Sequence, residues 1–272
     1  MKKNLRILNK FLVFIAIKLL NKLLINSNLK IIPPYDELEK FKFNYNENSR
    51  RLILENNKNK ISKIYIDSSL YNSKLCLLGK KFNSNKSSLN NNGQRSGFTG
   101  LYSLLFFHLK NANINIAEIG IEKNASTKMW RNYFNKAEIH GFEVDFEKIK
   151  KAKRDKLKNT YYHYMNVNIE KSINEGFKKI KKKFDIIIDD STHIFNDQIR
   201  IIKNSKKYLK SGGILVIEDI YRNRKEYEEY KYYDKIKKFK KEFREILFIE
   251  NRNINNYTAN WKNEKILFFV KK

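Results

Sequence analysis

From about residue 114 onward, short β-branched runs alternate with longer lysine-rich stretches of helical periodicity. Five strands are predicted, and their sequences are NINIAEIGI, AEIHGFEV, YYHYMNV, FDIIID and GGILVIED. Helices are predicted between the strands, near residues 125–135, 146–158, 170–182 and 194–210. Strands and helices that alternate in this way are typical of βαβ units around a parallel sheet, so the pattern predicts an α/β fold.

The C-terminal part of the chain carries two further patterns. After the fifth strand, apolar and aromatic side chains recur at helical spacing, which predicts a long amphipathic helix. The side chains are those of Tyr227, Tyr230, Tyr233, Ile236, Phe239 and Phe243. We interpret the rings as the packing face of this helix, with a base-stacking platform as the alternative. The segments REILFIE and EKILFFVKK then predict a closing pair of antiparallel strands.

The N-terminal residues 1–32 predict a basic amphipathic helix. Its apolar side consists of Leu8, Leu12, Ile15, Leu19 and Leu23, opposite a stripe of Lys and Arg. Because lysines interrupt the apolar run, it lacks the ~20 apolar residues that a membrane-spanning helix needs. Three interpretations stay open: a helix lying in a membrane interface, a helix packed on the main domain, and a secretory signal.

The boundaries of the main domain follow from proline and loop signals. Pro33 and Pro34 end any helix there, because proline lacks the amide donor and restricts the residue before it. Residues 33–73 are therefore predicted to be a linker or N-terminal extension, and residues 74–272 the main domain. Within that domain, KFNSNKSSLNNNGQRSG at residues 81–97 is rich in Asn, Ser and Gly and predicts a loop.

Composition adds little to this picture. The chain has 272 residues, enough for one substantial core, and its 57 Lys and Arg against 29 Asp and Glu give a net charge of +28. A nucleic-acid partner would explain the charge. We favour a compositional bias, because the lysines are spread along the chain and surround no aromatic reading motif; an acidic membrane surface or an anionic glycan would suit the charge equally. The single cysteine, Cys76, excludes an intrachain disulfide and suits a reducing compartment, or simply a protein that does without disulfides.

Candidate chemistry lies where the strands end, because open α/β sheets bind ligands beyond the carboxyl ends of their strands. The first strand leads into Glu118 and Gly120, and Ser126 is placed to cap the next helix. Glu143 ends the second strand, where an acidic residue can accept hydrogen bonds from ribose hydroxyls. The alternative is an ordinary crossover with a solvated glutamate, since only Gly120 stands where a glycine-rich fingerprint would be.

A long segment, EIGIEKNASTKMWRNYFNKAEIHGFEVD, resembles the opening motif of class I S-adenosylmethionine-dependent methyltransferases. It is similar in particular to the branch with macrolide-sugar O-methyltransferases of the mycinamicin and tylosin type, whose relatives include cephalosporin hydroxylase-like proteins. Met129 and Trp130 match a Met-Trp pair of that branch. LGKKFNSNKSS and GFTGLYSLLF resemble its lead-in with a Lys-Ser pair, and FDIIIDDSTH, LKSGGILVIEDI and WKNEKILFFVKK resemble its later strands. The resemblance covers roughly residues 74–270.

The resemblance implies a Rossmann-like class I methyltransferase fold, with a mostly parallel seven-stranded sheet, helices on both faces and an N-terminal helical extension. It also implies S-adenosylmethionine as the cofactor. The residues expected to bind it are Glu118, Gly120, Ser126, Glu143, Asn166 and Asp189.

In this fold the fourth and fifth strands are neighbours, so Asp189 and Asp190 are expected to end beside Glu218 and Asp219. Converging carboxylates repel one another unless a hard divalent cation binds among them. The resemblance therefore implies Mg²⁺, with Asp190, Glu218 and Asp219 as ligands and Asp189 in support.

His193 follows Asp190 in the same predicted loop. A neutral imidazole can take a proton from a hydroxyl at physiological pH, so His193 and Asp190 are the predicted catalytic residues. The predicted reaction is methyl transfer to a sugar hydroxyl of a glycan or glycosylated metabolite. The alternative for DDSTH is that these residues only cap the next helix.

The chain departs from the family pattern at a few positions. Asn124 and Ala125 stand where relatives carry glycines, Asn166 where they often carry an acid, and Asn85 where an acid precedes the lysine. These departures keep a non-catalytic membrane-associated scaffold open, and the charge keeps a nucleic-acid methyltransferase or nucleic-acid-binding protein open. The expected location is cytoplasmic, with the N-terminal helix on the inner membrane face. No pattern in the sequence identifies the acceptor or the oligomeric state, and a homo-oligomer stays open.

Overall fold

The structure is a computed structural model of the whole chain. It describes residues 15, 16, 19, 61–69, 71–90, 94–220, 229–253, 255 and 265–272. The chain divides into two compact units, residues 1–55 and residues 56–272. In the first unit the described residues are Ile15, Ala16 and Leu19, which are helical and exposed. The predicted helix stop at Pro33 and Pro34 lies outside the described residues.

The second unit contains a sheet flanked by helices. The strands are β1 (Ile61–Asp67), β2 (Asn115–Ile119), β3 (Glu138–Glu143), β4 (Thr160–Tyr164), β5 (Phe184–Asp189), β6 (Leu209–Ile217), β7 (Phe243–Arg252) and β8 (Lys265–Lys271). The helices are α1 (Lys74–Lys81), α2 (Phe98–Leu105), α3 (Ala125–Tyr133), α4 (Phe146–Arg154), α5 (Glu170–Lys178), α6 (Phe195–Ser205) and α7 (Glu229–Ile236). None of the described helices is both long and apolar enough to cross a membrane.

The described strands form one sheet in the order β1-β7-β8-β6-β5-β2-β3-β4. Strand β8 is antiparallel to both of its neighbours, β6 and β7, and the other pairs are parallel. The expected neighbours, β5 and β6, are therefore adjacent. The sheet has eight described strands instead of the predicted seven, because β1, which lies in the predicted linker, pairs in parallel with β7.

Both faces of the sheet are buried, which explains the nearly continuous apolar runs in the central strands. One face packs Ala117, Ile119 and Ile187 into a cluster with α6 and α7. The other face packs Ile116 against helices α2 and α3, where Trp130 is fully buried. Removing an aromatic ring of this kind from a core typically costs about 3–5 kcal/mol, so these contacts hold the lead-in helices to the sheet.

The C-terminal helix is shorter than the sequence pattern predicts. Helix α7 ends at Ile236, a short 3₁₀ turn covers Lys237–Phe239, and Phe243 is the first residue of β7. The ring of Phe243 packs on Phe269 of β8, with centroids 4.9 Å apart. The prediction that Phe243 belongs to the helix is wrong because strand pairing with β8 fixes its backbone; Tyr227 lies outside the described residues.

Candidate active site

The carboxyl ends of the central strands meet at one edge of the sheet. Asp189 of β5 is in register with Ile119 of β2 and with Ile217 of β6. The residues that follow these positions therefore lie side by side. They border a pocket of about 770 Å³. Its walls are formed by the ends of β2 to β5, the loops that follow them, and residues of the polar loop 82–97.

The turn after β2 brings the backbone close to the pocket. Gly120 has a φ of +87°, and a Cβ added there would lie 2.3 Å from the carbonyl oxygen of Asp190, so only glycine fits. Asn124 has a φ of +63° and its side chain donates to Asp155 at 2.8 Å and to the hydroxyl of Tyr162 at 2.8 Å. These bonds hold Asn124 in its left-handed conformation. Ser126 lines the pocket, but Asn124, not Ser126, precedes the helix as its N-cap.

Glu118 does not line the pocket. Its carboxylate is fully buried beneath α3, where it accepts hydrogen bonds from Thr127 Oγ1 at 2.5 Å and Trp130 Nε1 at 3.0 Å. Burial raises the pKa of Glu118, against the opposing effect of Lys86 and the hydrogen-bond donors. The carboxylate of Glu118 therefore contacts helix α3, and its contact with a cofactor stays a prediction.

Glu143 and Asn166 lie in the pocket, as the sequence predicts. The Glu143 carboxylate accepts from the backbone amides of Glu122 at 3.2 Å and Val144 at 2.9 Å. Asn166 Oδ1 accepts from the amide of Asn168 at 2.9 Å. These bonds fix both polar groups at the pocket wall, where they can meet the hydroxyls or amino group of a nucleoside.

The segment after β5 carries Asp189, Asp190 and His193. Asp189 is 1% exposed and accepts from Ser191 Oγ at 2.6 Å; it does not line the pocket, and burial raises its pKa to about 6. Asp190 and His193 do line it. His193 Nε2 lies 2.8 Å from Asp190 Oδ1 and 3.7 Å from Asp219 Oδ2. The structure thus joins the predicted base to two of the predicted acids.

Glu218 is held by two side chains from the lead-in region. The ammonium of Lys86 lies 2.6 Å from Glu218 Oε2, and the hydroxyl of Tyr102 donates to Glu218 Oε1 at 2.7 Å. The same ammonium also contacts Asp190 Oδ2. No role was predicted for Lys86 or Tyr102; the Lys-Ser pair in the lead-in segment is the sequence signal that points to Lys86.

The charges of this cluster influence one another. Burial by itself would lower the pKa of Lys86, but Asp190 and Glu218 outweigh it and raise that pKa above its ordinary value. Burial also disfavours ionised Asp190, yet Lys86 and His193 hold the pKa of Asp190 below its usual range. For Glu218, burial is the larger effect and raises its pKa, despite the contact with Lys86. One lysine therefore compensates only part of the acidic charge.

A divalent cation fits part of this arrangement. Ligand atoms of Asp190, His193 and Asp219 all lie within 4.8 Å of one another, and they form the one such group within the described residues. Carboxylate oxygens suit Mg²⁺, which ordinarily keeps several water ligands as well. Glu218, a predicted ligand, lies outside this group because its oxygens face Lys86 and Tyr102.

A sequence profile for the family described as "Methyltransferase domain" matches residues 123–265. Two curated proteins are similar over a shorter region. The 8-demethyl-8-(2-methoxy-alpha-L-rhamnosyl)-tetracenomycin-C 3'-O-methyltransferase of Streptomyces olivaceus is 28% identical over 131 residues, which are 46% of this chain and 32% of that protein. The mycinamicin VI 2''-O-methyltransferase of Micromonospora griseorubida is 26% identical over 135 residues, which are 46% of this chain and 31% of that protein. The matched region thus spans about a third of the length of these relatives.

A solved structure shares the fold. It is the MycE methyltransferase from the mycinamycin biosynthetic pathway in complex with Mg, SAH and mycinamycin VI, with a TM-score of 0.57 and 17% sequence identity. The alignment covers 73% of this chain and 53% of that one. This likeness, together with the strand order, confirms the predicted Rossmann-like fold.

Proposed function

The chain belongs to the methyltransferase-domain family, and from that premise we propose that it transfers a methyl group from S-adenosylmethionine to a sugar hydroxyl. The observation that carries the proposal is the arrangement of one pocket. Glu143 and Asn166 lie in its wall where a nucleoside would bind, and Asp190 and His193 lie in the same pocket. The names of the similar proteins, which are O-methyltransferases of glycosylated compounds, support a sugar or glycan acceptor.

Each pocket residue has its own role in the proposed reaction. Glu143 accepts hydrogen bonds from the ribose hydroxyls of the methyl donor, Asn166 bonds its adenine, and the backbone at Gly120 and Ser126 borders its amino-acid end. The acceptor hydroxyl oxygen attacks the methyl carbon, the carbon–sulfur bond breaks, and S-adenosylhomocysteine leaves.

The hydroxyl proton passes to the imidazole of His193. The carboxylates of Asp190 and Asp219, 2.8 and 3.7 Å from His193 Nε2, stabilise the imidazolium that forms. Asp190 and Asp219, with Glu218 as the third predicted ligand, would hold Mg²⁺, which would supply a Lewis acid that makes the acceptor hydroxyl more acidic.

Cofactor binding is tested by titrating the protein with S-adenosylhomocysteine in a calorimeter. We expect saturable binding, and at least tenfold weaker binding by Glu143→Gln, because the amide both loses charge and disturbs the backbone bonds at the pocket wall. The matched control is Glu147→Gln, an exposed residue paired with Lys150 on the adjacent helix, which should bind as the unmodified protein does. No heat of binding at high protein concentration would contradict the proposal.

The acceptor is tested by mass spectrometry of glycans from cells with and without the protein. Methyl transfer to a hydroxyl adds roughly fourteen daltons, one CH₂. Loss of that increment in cells without the protein is the expected result. An unchanged glycan profile would direct the search to small glycosylated metabolites.

A further inference from the structure

The side chain of Lys86 is 1% exposed and lies between the ends of two strands. It contacts Asp190, which follows β5, and Glu218, which follows β6. A buried ammonium requires acidic partners, because burial without them would strongly disfavour its charge. The reaction proposed above gives Lys86 no part.

Lys86 is also bonded through its backbone within the loop that lines the pocket. Its carbonyl accepts from the amide of Thr99 at 3.0 Å, and the carbonyl of the preceding Asn85 accepts from the amide of Ser96 at 2.8 Å. Asn85 and Gln94 from the same loop line the pocket. The ion pairs of Lys86 therefore tie the described part of the polar loop 82–97 to the acids at the end of the sheet.

The surroundings of Glu218 leave little room for a second cation beside the ammonium of Lys86. A small cavity of about 10 Å³ lies between the loop and the acids, and it is lined by Asn85, Lys86, Gln94, Ser96, Phe98, Asp190, Glu218 and Asp219. That volume is about one water molecule. Because Lys86 and Tyr102 face the two oxygens of Glu218, a cation that binds Glu218 would compete with the ammonium for that carboxylate. Two cations on the same carboxylate would also repel each other.

We propose that Lys86 is a resident cation that competes with a divalent metal ion for Asp190 and Glu218, so that metal binding releases Lys86 and frees its segment of the pocket wall. This rests on the metal site of the proposed function. Without metal, Lys86 neutralises part of the acidic cluster and holds the loop in place. With metal, Glu218 joins the ligand set and the loop is free to adjust to an acceptor.

The decisive measurement is Mg²⁺ affinity, by calorimetry, in the unmodified protein and in Lys86→Met. Methionine keeps a long apolar side chain and removes the charge. Competition predicts that Lys86→Met binds Mg²⁺ at least tenfold more tightly, whereas a residue that only supports the fold would leave the affinity equal or weaker on substitution. The matched control is Lys80→Met, which removes an exposed lysine from helix α1 and should change Mg²⁺ affinity by less than twofold.

A second measurement follows the loop in the unmodified protein. Amides of residues 84–88 should exchange hydrogen faster when Mg²⁺ is added, because the anchor has been displaced. Slower or unchanged exchange would overturn the proposal, as would equal or weaker Mg²⁺ affinity in Lys86→Met. If Lys86→Met does not fold, the exchange measurement alone decides.

The outcome is separable from that of the proposed function. A protein that binds S-adenosylhomocysteine, while neither it nor Lys86→Met binds Mg²⁺, would retain the methyltransferase proposal and lose this one. If Lys86→Met binds Mg²⁺ more tightly than the unmodified protein and neither binds S-adenosylhomocysteine, this proposal would be retained and the methyltransferase proposal lost.

Discussion

At the scale of single residues, His193 adopts a backbone conformation that is uncommon for a residue with a side chain. Its φ is +57°, in the left-handed region. Such a conformation costs of order 1 kcal/mol and persists where surrounding contacts impose it. The contact of its ring with Asp190 is one of them.

Replacing His193 by alanine is expected to lower turnover by about a hundredfold or more, because general-base catalysis typically contributes that much. The affinity for S-adenosylhomocysteine should stay within threefold, since the cofactor-binding residues are unchanged. Steady-state kinetics and calorimetry measure the two quantities. His108→Ala, at an exposed position in a 3₁₀ turn, is the control. Unchanged turnover in His193→Ala would remove His193 as the base.

Two glutamates at similar positions in the sequence lie in different environments in the structure. Glu118 and Glu143 each lie at or near the end of a strand that leads into the pocket. Glu118 points under helix α3 to Thr127 and Trp130, whereas Glu143 lies in the pocket wall. Glu118 is in register with Gly141, so Glu143 lies two residues further towards the carboxyl edge of the sheet, where the pocket is.

At the scale of elements, strands β3 and β4 are joined by a pair of histidines. His140 Nδ1 lies 3.0 Å from His163 Nε2, and His140 Nε2 lies 2.8 Å from Glu138 Oε1. Lys182 contacts the same glutamate at 2.7 Å. Burial, with a contribution from His140, lowers the pKa of His163 to about 4. The paired strands therefore favour a neutral His163.

The pH dependence of stability follows from that shift. Between about pH 6.5 and pH 4 the unfolded chain binds a proton at His163 and the folded chain does not, so the free energy of unfolding falls as pH is lowered through this window. His163→Gln should lose less stability between pH 7 and pH 5, by about 1 kcal/mol after discounting for the partial exposure of the ring. Urea unfolding at the two pH values measures the difference. An equal loss in both proteins would show that other groups govern the acid response.

At the scale of the whole molecule, the chain carries a net charge of +28 and divides into two units. In the first unit, Ile15 and Leu19 are 38% and 57% exposed. Both belong to the predicted apolar side of the N-terminal helix. Exposed apolar residues beside a basic stripe are typical of a helix that lies on an anionic membrane surface, so we keep residues 1–32 as a proposed surface anchor.

Removing residues 1–55 is expected to leave residues 56–272 folded, because that unit contains the sheet, including the edge strand β1. The shortened protein should bind S-adenosylhomocysteine as the full chain does. Its binding to anionic vesicles should be at least tenfold weaker at physiological salt, as measured by co-sedimentation. Equal vesicle binding would assign the membrane affinity to the remaining basic surface. Salt-dependent binding of RNA by both proteins would instead favour the nucleic-acid alternative.

The sequence by itself determined the order of the elements from β2 onward and the place of the site. Strand β5 covers the predicted residues 184–189, and β2, β3 and α3 lie within two residues of their predictions. Hydrophobic periodicity is a local property of the chain, so it can be read without coordinates. Because the carboxyl ends of parallel strands meet at one edge, the pattern also placed Asp190, His193 and Glu143 around one pocket.

Only the tertiary structure decided which charges meet. Lys86 and Glu218 are 132 positions apart, and their contact depends on how a loop folds back over the sheet. The pairing of β1 with β7 is similarly distant in sequence. The burial of Glu118, the two partners of Glu218 and the extra strand all depend on contacts between remote segments. No local periodicity encodes such contacts, because their stability comes from the packing of the completed fold.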